Sequence, residues 1–491
     1  MDFKATRIVC AVLFLFLSTA IAHGKDQTTA APLGEPGERC AKLLTTDFSL
    51  TEDAPAEIIA ATPVKGSGAT PNVCSVEGVV WPNVRFRVEF PLTGWNSKMV
   101  VVGTGGQAGS ITTSADYEKY MNSRPLLPQG YAFVGHDSGH SDAGTKWGWH
   151  NPSAEIDYGF RGGHVAGVIG KEILRAFYGR RPTRAYYHSC SNGGREALMM
   201  AQRYPWDYDG IIAGSPSLAY SSLFVRFYAF VELMKDRSRN GLDGSAARVL
   251  HQAVLEQCDA LDGKKDGILE DPRRCKVDFD RVLCRHGAAE DCLTPHQVDI
   301  ARQIYEGTRR PDGAQIAPSS AMPGSELTWE AWGTSTYPAE VFRYLAFDPA
   351  PGPGWTPDPA KLGDYARRMG LMDSLFSANN PDLRQFKANG GKLISYYGWN
   401  DAMGGVRENL DYYETAARVM GGPEKTLDFY RLFMIPGMNH CVGGDGVSAF
   451  DYIGALDRWV EQGKAPEVIT GYHPGSDGTP EFTRDVAYYR F

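Results

Sequence analysis

Tyr187-His188-Ser189-Cys190-Ser191-Asn192-Gly193-Gly194-Arg195 is the stretch on which the fold turns. It follows a short apolar run, Ala185 to Tyr187, and leads into a helix-like segment, Glu196 to Arg203, rich in Ala, Leu and Met. An apolar strand, a sharp turn carrying a serine and then a helix make a nucleophile elbow, which lifts a hydroxyl above the edge of an α/β-hydrolase sheet. The backbone of such a turn is strained, so the residues two before and two after the serine must be small. Here they are Ser189 and Gly193. The chain has no strict Gly-x-Ser-x-Gly, and this Ser-x-Ser-x-Gly is its nearest approach.

An elbow serine needs a base and an acid, in the chain order Ser, Asp/Glu, His. Of eleven histidines only His440 and His473 lie beyond residue 296. His440 sits in Pro436-Gly437-Met438-Asn439-His440-Cys441, a loop directly after an apolar run, whereas His473 lies in a polar C-terminal stretch. The acid belongs in the loop after the preceding strand. Leu393-Ile394-Ser395-Tyr396-Tyr397 is followed by Gly398-Trp399-Asn400-Asp401, which selects Asp401 over Asp428 and Asp445. In such a triad the imidazole takes the serine proton and returns it to the leaving group, and the carboxylate fixes the tautomer.

The oxyanion of the tetrahedral intermediate requires preorganised donors. The residue after the nucleophile supplies one amide, Asn192. Val102-Gly103-Thr104-Gly105-Gly106, a glycine-rich loop after an early strand, supplies the second, and Gly105 is the expected donor. Cys190 precedes the nucleophile and Cys441 follows the base, so assembly of the triad brings the two cysteines near disulfide range.

Working outward, residues 70–136 are strand-rich, with Arg85 to Phe90, Met99 to Val102 and Tyr131 to Val134 as β-type runs. Gly162 to Tyr178 reads as an amphipathic helix, and Asp209 to Ala213 as a buried strand. After about residue 218 helical pieces alternate with cysteine-, proline- and tryptophan-rich loops. Strand patterns resume at Lys392 to Tyr397 and Tyr430 to Ile435, and a closing helix is expected over Ala449 to Gln462. The economical reading is an α/β-hydrolase core of residues 39–217 and 383–491 with a mostly parallel sheet. It is interrupted by a large inserted lid, residues 218–382.

The 491 residues, 43% hydrophobic and 22% charged, are ample for a sizeable core. A formal charge of −8 argues against nucleic acid or an anionic membrane as partner. The N-terminus has the form of a secretory signal: Lys4 and Arg7, an apolar run from Ile8 to Ile21, and Ala20-Ile21-Ala22 as cleavage site, which sets residues 1–22 apart. Eight cysteines then remain, an even number that suits four disulfides in a secreted or periplasmic protein. The chain has no Asn-x-Ser/Thr acceptor, which leans towards a bacterial exported protein.

One further stretch carries chemistry: Cys258-Asp259-Ala260-Leu261-Asp262-Gly263-Lys264-Lys265-Asp266-Gly267-Ile268. Three carboxylates among glycines in a tight loop suit a hard cation, hence a structural Ca²⁺. Side chains of Asp259, Asp262 and Asp266 with the carbonyls of Lys264 and Ile268 would hold it. Cys258 and Cys275 flank the loop.

The Cys190-Ser191-Asn192-Gly193-Gly194 stretch, followed by Asp401 and then His440-Cys441, resembles the Cys-Ser…Asp…His-Cys pattern of the tannase and feruloyl esterase family. The likeness extends to Gly103 to Gly109, Asp157 to His164, the 259–268 loop and Pro323-Gly324-Ser325-Glu326 with Trp329 and Trp332. It implies an α/β-hydrolase core with an inserted lid, lid calcium, a Ser191/Asp401/His440 triad and a Cys190–Cys441 disulfide. It further implies the pairings Cys40–Cys74, Cys258–Cys275 and Cys284–Cys292. Ser189 departs from the pattern, which often has Gly there. The implied substrate is a small ester of an aromatic acid, free or attached to plant polysaccharide or polyphenol. Feruloyl and other hydroxycinnamoyl esters come first, with galloyl esters and the mono(hydroxyethyl) ester of terephthalate as alternatives. A serine peptidase and a calcium-dependent carbohydrate-binding protein are the readings outside esterases. Trp329, Trp332 and Trp355 are expected either to stack on an aryl ring or to serve as lid core, and Gly404 and Gly405 to leave room for a larger group.

Overall fold

The computed structural model describes residues 34–142, 144–236, 241–285, 290–310, 312–319 and 321–491. The expected signal segment, 1–22, lies outside the described residues. The chain folds around a nine-stranded sheet. Its first seven strands are β1 (Ala56–Val64), β2 (Val73–Val80), β3 (Val84–Pro91), β4 (Lys98–Val102), β5 (Ala132–His136), β6 (Arg184–Cys190) and β7 (Gly210–Gly214). A small hairpin, β8 (Thr308–Arg309) and β9 (Gln315–Ala317), lies apart from it. The sheet is completed by β10 (Lys392–Gly398) and β11 (Tyr430–Ile435), in the order β1-β2-β3-β5-β4-β6-β7-β10-β11.

β4, β5, β6, β7, β10 and β11 run parallel, and β1, β2 and β3 extend the edge antiparallel. The two kinds of strand read differently in the sequence, as their burial requires. β3 alternates, with Val84, Phe86, Val88 and Phe90 inward and Arg85, Arg87 and Glu89 between them. β4, β7 and β11 are apolar nearly throughout because both faces are covered. Met99, Val101, Ile211, Leu393 and Leu432 face helices Gly162–Tyr178, Asn192–Arg203 and Val406–Val419. Val100, Ile212, Ile394, Phe433 and Ile435 face helices Ser114–Met121 and Tyr452–Gln462 on the other side. Each such side chain contributes about 1.5–3 kcal/mol by leaving water.

Between Gly214 and Lys392 the chain leaves the sheet and supplies most of a second apolar cluster, which Trp147, Tyr158 and Met403 join from outside that segment. It is centred on the helix Tyr220–Leu233 and the fully buried Trp329. Its polar heart is Glu326, which accepts from Gly324 N at 2.8 Å, lies 2.7 Å from His251 Nδ1 and also takes the Tyr305 hydroxyl. β7 and β10 are parallel neighbours, so the excursion starts and ends side by side.

Two details depart from the expectations. The closing helix starts at Tyr452, three residues late, because Ala449–Phe450 form β12. β12 joins β13 (Val468–Pro474) and β14 (Pro480–Ala487) in a small separate sheet that the sequence pattern did not reveal.

All eight described cysteines are paired, as Cys40–Cys74, Cys190–Cys441, Cys258–Cys275 and Cys284–Cys292. Such pairing belongs to chains folded in an oxidising compartment. Among the described residues no helix is long and apolar enough to cross a membrane.

Candidate active site

β6 ends at Cys190, and Ser191 takes φ 64° and ψ −124° before the helix Asn192–Arg203 begins. A non-glycine residue in that region is held there only by its surroundings. Here the Ser191 N–H donates to Gly214 O of β7 (2.9 Å), and the Ser191 carbonyl accepts from Arg195 N and Ser217 N. A Cβ on Gly194 would overlap Gly214 O, and one on Gly193 would overlap Ser189 Oγ. Ser189, where the family pattern often has glycine, donates to Gly103 O at 2.8 Å and so pins the glycine-rich loop to β6.

Asp401 follows β10 and His440 follows β11, the two strands beyond β7 in the sheet order. His440 Nδ1 lies 2.6 Å from Asp401 Oδ2, and His440 Nε2 lies 2.8 Å from Ser191 Oγ. With Nδ1–H donating to the carboxylate, Nε2 is left to accept from the serine hydroxyl. The second Asp401 oxygen accepts from Met403 N and Gly404 N, at 3.1 and 2.9 Å. Burial alone would raise the Asp401 pKa. The charge and hydrogen bond of His440, with the two amides, outweigh burial and hold it below the ordinary carboxylate value. Burial opposes the His440 imidazolium, yet Asp401 keeps its pKa above that of an ordinary histidine. The Trp332 ring stands edge-on to His440, 5.7 Å between centroids. The disulfide Cys190–Cys441 joins the residue before Ser191 to the residue after His440. His473, the other late histidine, lies 2.8 Å from Gly446 O through Nδ1 and stacks on Phe482.

Asn192 is the first residue of its helix, so its N–H has no intrahelical acceptor. Gly105 is next to the nucleophile: a Cβ built on it would lie 3.9 Å from Ser191 Cβ. Gly103 is glycine for another reason, since a Cβ there would overlap the Glu196 carboxylate and the Tyr187 hydroxyl. Beneath the loop, buried Glu196 accepts from Ser138 Oγ (2.7 Å) and Tyr187 OH (3.0 Å).

Ser191 and His440 open into a cavity of about 510 Å³. Its walls are aromatic: Tyr117 and Tyr120 on the core side, and Tyr220, Phe224, Phe227, Trp332 and Tyr337 from the insert. Of the three tryptophans singled out in the sequence, only Trp332 lines it. Trp329 is buried in the insert with Nε1 donating to Ser325 Oγ, and Trp355 packs against Phe347 and Tyr365. Gly404 does line the cavity, but a Cβ on it would overlap Tyr397 OH and crowd Asp401, so the acid's own packing demands glycine there.

In the acidic loop each carboxylate accepts from a loop amide. Asp259 takes Gly267 N (3.1 Å), Asp262 takes Lys264 N (2.8 Å) and Asp266 takes Ile268 N (3.2 Å). The other Asp262 oxygen, Oδ2, is buried without a hydrogen-bond partner. Among the described residues no three His, Cys, Asp or Glu side chains converge as a cage for a metal ion.

The family described as "Tannase and feruloyl esterase" matches residues 68–343 and 358–487. The chain belongs to the tannase and feruloyl esterase family. Curated relatives include a probable feruloyl esterase B-2 of Aspergillus flavus, 31% identical over 93% of this chain and 91% of its own. Another, from Aspergillus terreus, is 30% identical over 82% of this chain and 79% of its own. Among solved structures, feruloyl esterase B from Aspergillus oryzae superposes with a TM-score of 0.79 at 25% identity, covering 92% of this chain and 96% of that one. Membership makes this α/β protein a carboxylic ester hydrolase, and the family's name puts aromatic acids on the acyl side.

Two parts of the site escaped the sequence reading: the Ser189–Gly103 link and Arg195. Arg195 had a signal, since a cation near a helix N-terminus runs against the dipole.

Proposed function

We propose that this enzyme hydrolyses hydroxycinnamoyl (feruloyl) esters through an acyl-enzyme on Ser191, with Asp401 and His440 completing the triad. The observation that carries the reading is the hydrogen-bonded row Ser191–His440–Asp401 opening into an aromatic-walled cavity of about 510 Å³. A flat conjugated acyl group suits such walls.

In this mechanism Ser191 Oγ attacks the acyl carbon and passes its proton to His440 Nε2. The N–H groups of Asn192 and Gly105 meet the oxyanion. As the intermediate collapses, His440 gives the proton to the departing alcohol. A water molecule repeats the sequence and releases the acid. Asp401 remains charged throughout and stabilises the imidazolium.

Residues 218–382 act as a lid in this reading, supplying the cavity's far wall. The loop Asp259 to Ile268 is proposed to hold a structural Ca²⁺. Support comes from the orphaned Asp262 Oδ2 and the hard-oxygen chemistry of the donors. Asp259, Asp262 and Asp266, with the carbonyls of Lys264 and Ile268, would hold the ion, and water would complete the shell. Its role would be to brace the insert. Residues 1–22 are proposed as the signal that exports the chain to the periplasm or medium, where its four disulfides form.

A substrate panel tests the reading. Methyl ferulate is expected to be cleaved faster than methyl gallate, and both faster than mono(hydroxyethyl) terephthalate, with no cleavage of the ferulic amide. Ser191→Ala should abolish turnover and fluorophosphonate labelling without loss of fold. Retained turnover in that variant removes Ser191 from the mechanism.

A further inference from the structure

We propose that Arg195 is a positioning residue for the oxyanion hole, acting through the Asn192 side chain and the Thr104–Gly105 peptide. The inference rests on the reading of Ser191, Asn192 and Gly105 given above.

Arg195 is fully buried one turn into the helix that follows the nucleophile. Among the described residues no carboxylate comes within ion-pair distance of it, and every acceptor it reaches is a neutral carbonyl oxygen. Nη2 donates to Tyr158 O at 2.7 Å, and Nη1 to Gly159 O at 2.6 Å and Phe376 O at 3.3 Å. Nε donates to Asn192 Oδ1 at 2.8 Å. The guanidinium also stands over the Tyr158 ring, 4.8 Å from its centroid, so its charge is met by a ring face and carbonyl dipoles and by no counter-ion, close to the positive end of a helix dipole. The fork is thereby fixed in place by Tyr158, Gly159 and Phe376, and its remaining donor, Nε, is aimed at Asn192.

What it holds is the Asn192 amide. With Oδ1 occupied by Arg195, the amide can present only Nδ2 on its other side, and Nδ2 donates to Thr104 O at 3.1 Å. Thr104 C=O belongs to the same peptide unit as Gly105 N–H. Among the described residues the cis peptides are Trp81-Pro82 and Asp348-Pro349, so this unit is trans and planar, with its C=O and N–H antiparallel. Fixing the carbonyl fixes the direction of the Gly105 N–H. Ser189 Oγ on Gly103 O ties down the preceding peptide in the same way. Asn192 thus contributes its own backbone N–H and, through its side chain, aims the second donor. Without Arg195 the amide is free to rotate, and the carbonyl loses its donor. Oxyanion donors act by being oriented before charge develops, so a loosened peptide lowers the rate of the chemical step while leaving ground-state binding intact.

The test compares Asn192→Ala and Arg195→Lys, the second keeping the charge but not the fork. Rates are measured on methyl ferulate, together with the affinity for free ferulate and for a trifluoromethyl ketone analogue that forms a tetrahedral adduct on Ser191. Outright removal of an oxyanion donor costs about 10²–10³ in kcat; loss of aim should cost about 10- to 100-fold, with KM little changed. Analogue affinity should fall by the same factor as kcat/KM, and ferulate affinity should hold. Within one relay the double variant should be no slower than the worse single variant. A clamp that merely braced the fold would lower the melting temperature and leave analogue binding untouched, and that result overturns the proposal. If Arg195→Lys does not fold, Asn192→Ala decides alone: wild-type kcat and analogue affinity there refute the relay. Turnover surviving Ser191→Ala refutes instead the reading beneath it.

Discussion

Removing the Cys190–Cys441 bond by Cys190→Ala/Cys441→Ala should weaken the protein more than removing any other disulfide, and should slow it as well. Alanine at both sites adds no buried hydroxyl, and both cysteines are buried in the native fold. The bond spans 251 residues. In the loop-entropy model that separation corresponds to about 5.5 kcal/mol. The Cys284–Cys292 bond, which spans 8 residues, corresponds to about 2.5 kcal/mol in the same model. Unfolding entropy near 2.1 cal/mol/K per residue gives roughly 1 kcal/mol/K for a chain of this length, so the expected drops in Tm are about 5–6 °C and about 2–3 °C. The activity loss has a separate origin. The bond fixes the elbow against the histidine loop, and a misplacement of about 1 Å in the Ser191–His440 contact of 2.8 Å costs on the order of 10²-fold in rate. Calorimetry under non-reducing conditions and initial rates on methyl ferulate measure both effects. The reasoning is refuted if the long-span variant melts no lower than the Cys284→Ala/Cys292→Ala variant, or if it turns over at the wild-type rate.

Three other expectations follow from the site. Because Asp401 holds the His440 pKa above the ordinary value of about 6.5, kcat/KM should rise with pH through a midpoint above that value. In Asp401→Asn only burial remains, so the residual activity should have its midpoint below 6.5, and an unmoved midpoint assigns the titration to another group. Gly193→Ala should cripple the enzyme by driving a methyl group into Ser189 Oγ, and Ser189→Gly should restore much of the loss; equal damage with and without the second change removes Ser189 as the cause. Chelation should lower the melting temperature through loss of a ligand bound only by the folded state. An unchanged melt with no calcium by elemental analysis retires the 259–268 loop as a metal site.

The residues that the sequence made legible share one property: each follows a buried apolar strand. Ser191, Asp401 and His440 stand just past β6, β10 and β11, where a short, largely apolar buried strand gives way to glycine and polar residues. Runs buried on both faces are hard to misread, and Tyr430–Ile435 and Gly162–Tyr178 stand where they were expected. β1 was harder, because Thr62 and Pro63 lie on an exposed edge strand whose burial fades along its length. β13 and β14 are half exposed, so their alternation is too weak to separate from loop. The distant contacts of Arg195 and Ser189 were opaque for another reason. Their backbone partners, the carbonyls of Tyr158, Gly159, Phe376 and Gly103, lie 36 to 181 residues away, and no local pattern encodes a carbonyl brought in by the fold.

The parallel pairing of β7 with β10 has a consequence for how such enzymes diversify. A long detour that departs from one strand and rejoins at its immediate neighbour imposes no change on the strand register when its contents change. The insert's share of the cavity wall can therefore be rewritten by exchanging that cassette, provided the new one keeps the contacts that Ser217 N makes with Ser191 and Phe376 O with Arg195, while the triad residues themselves lie outside it. Grafting a relative's detour between Gly214 and Lys392 is the natural route to a new acyl preference.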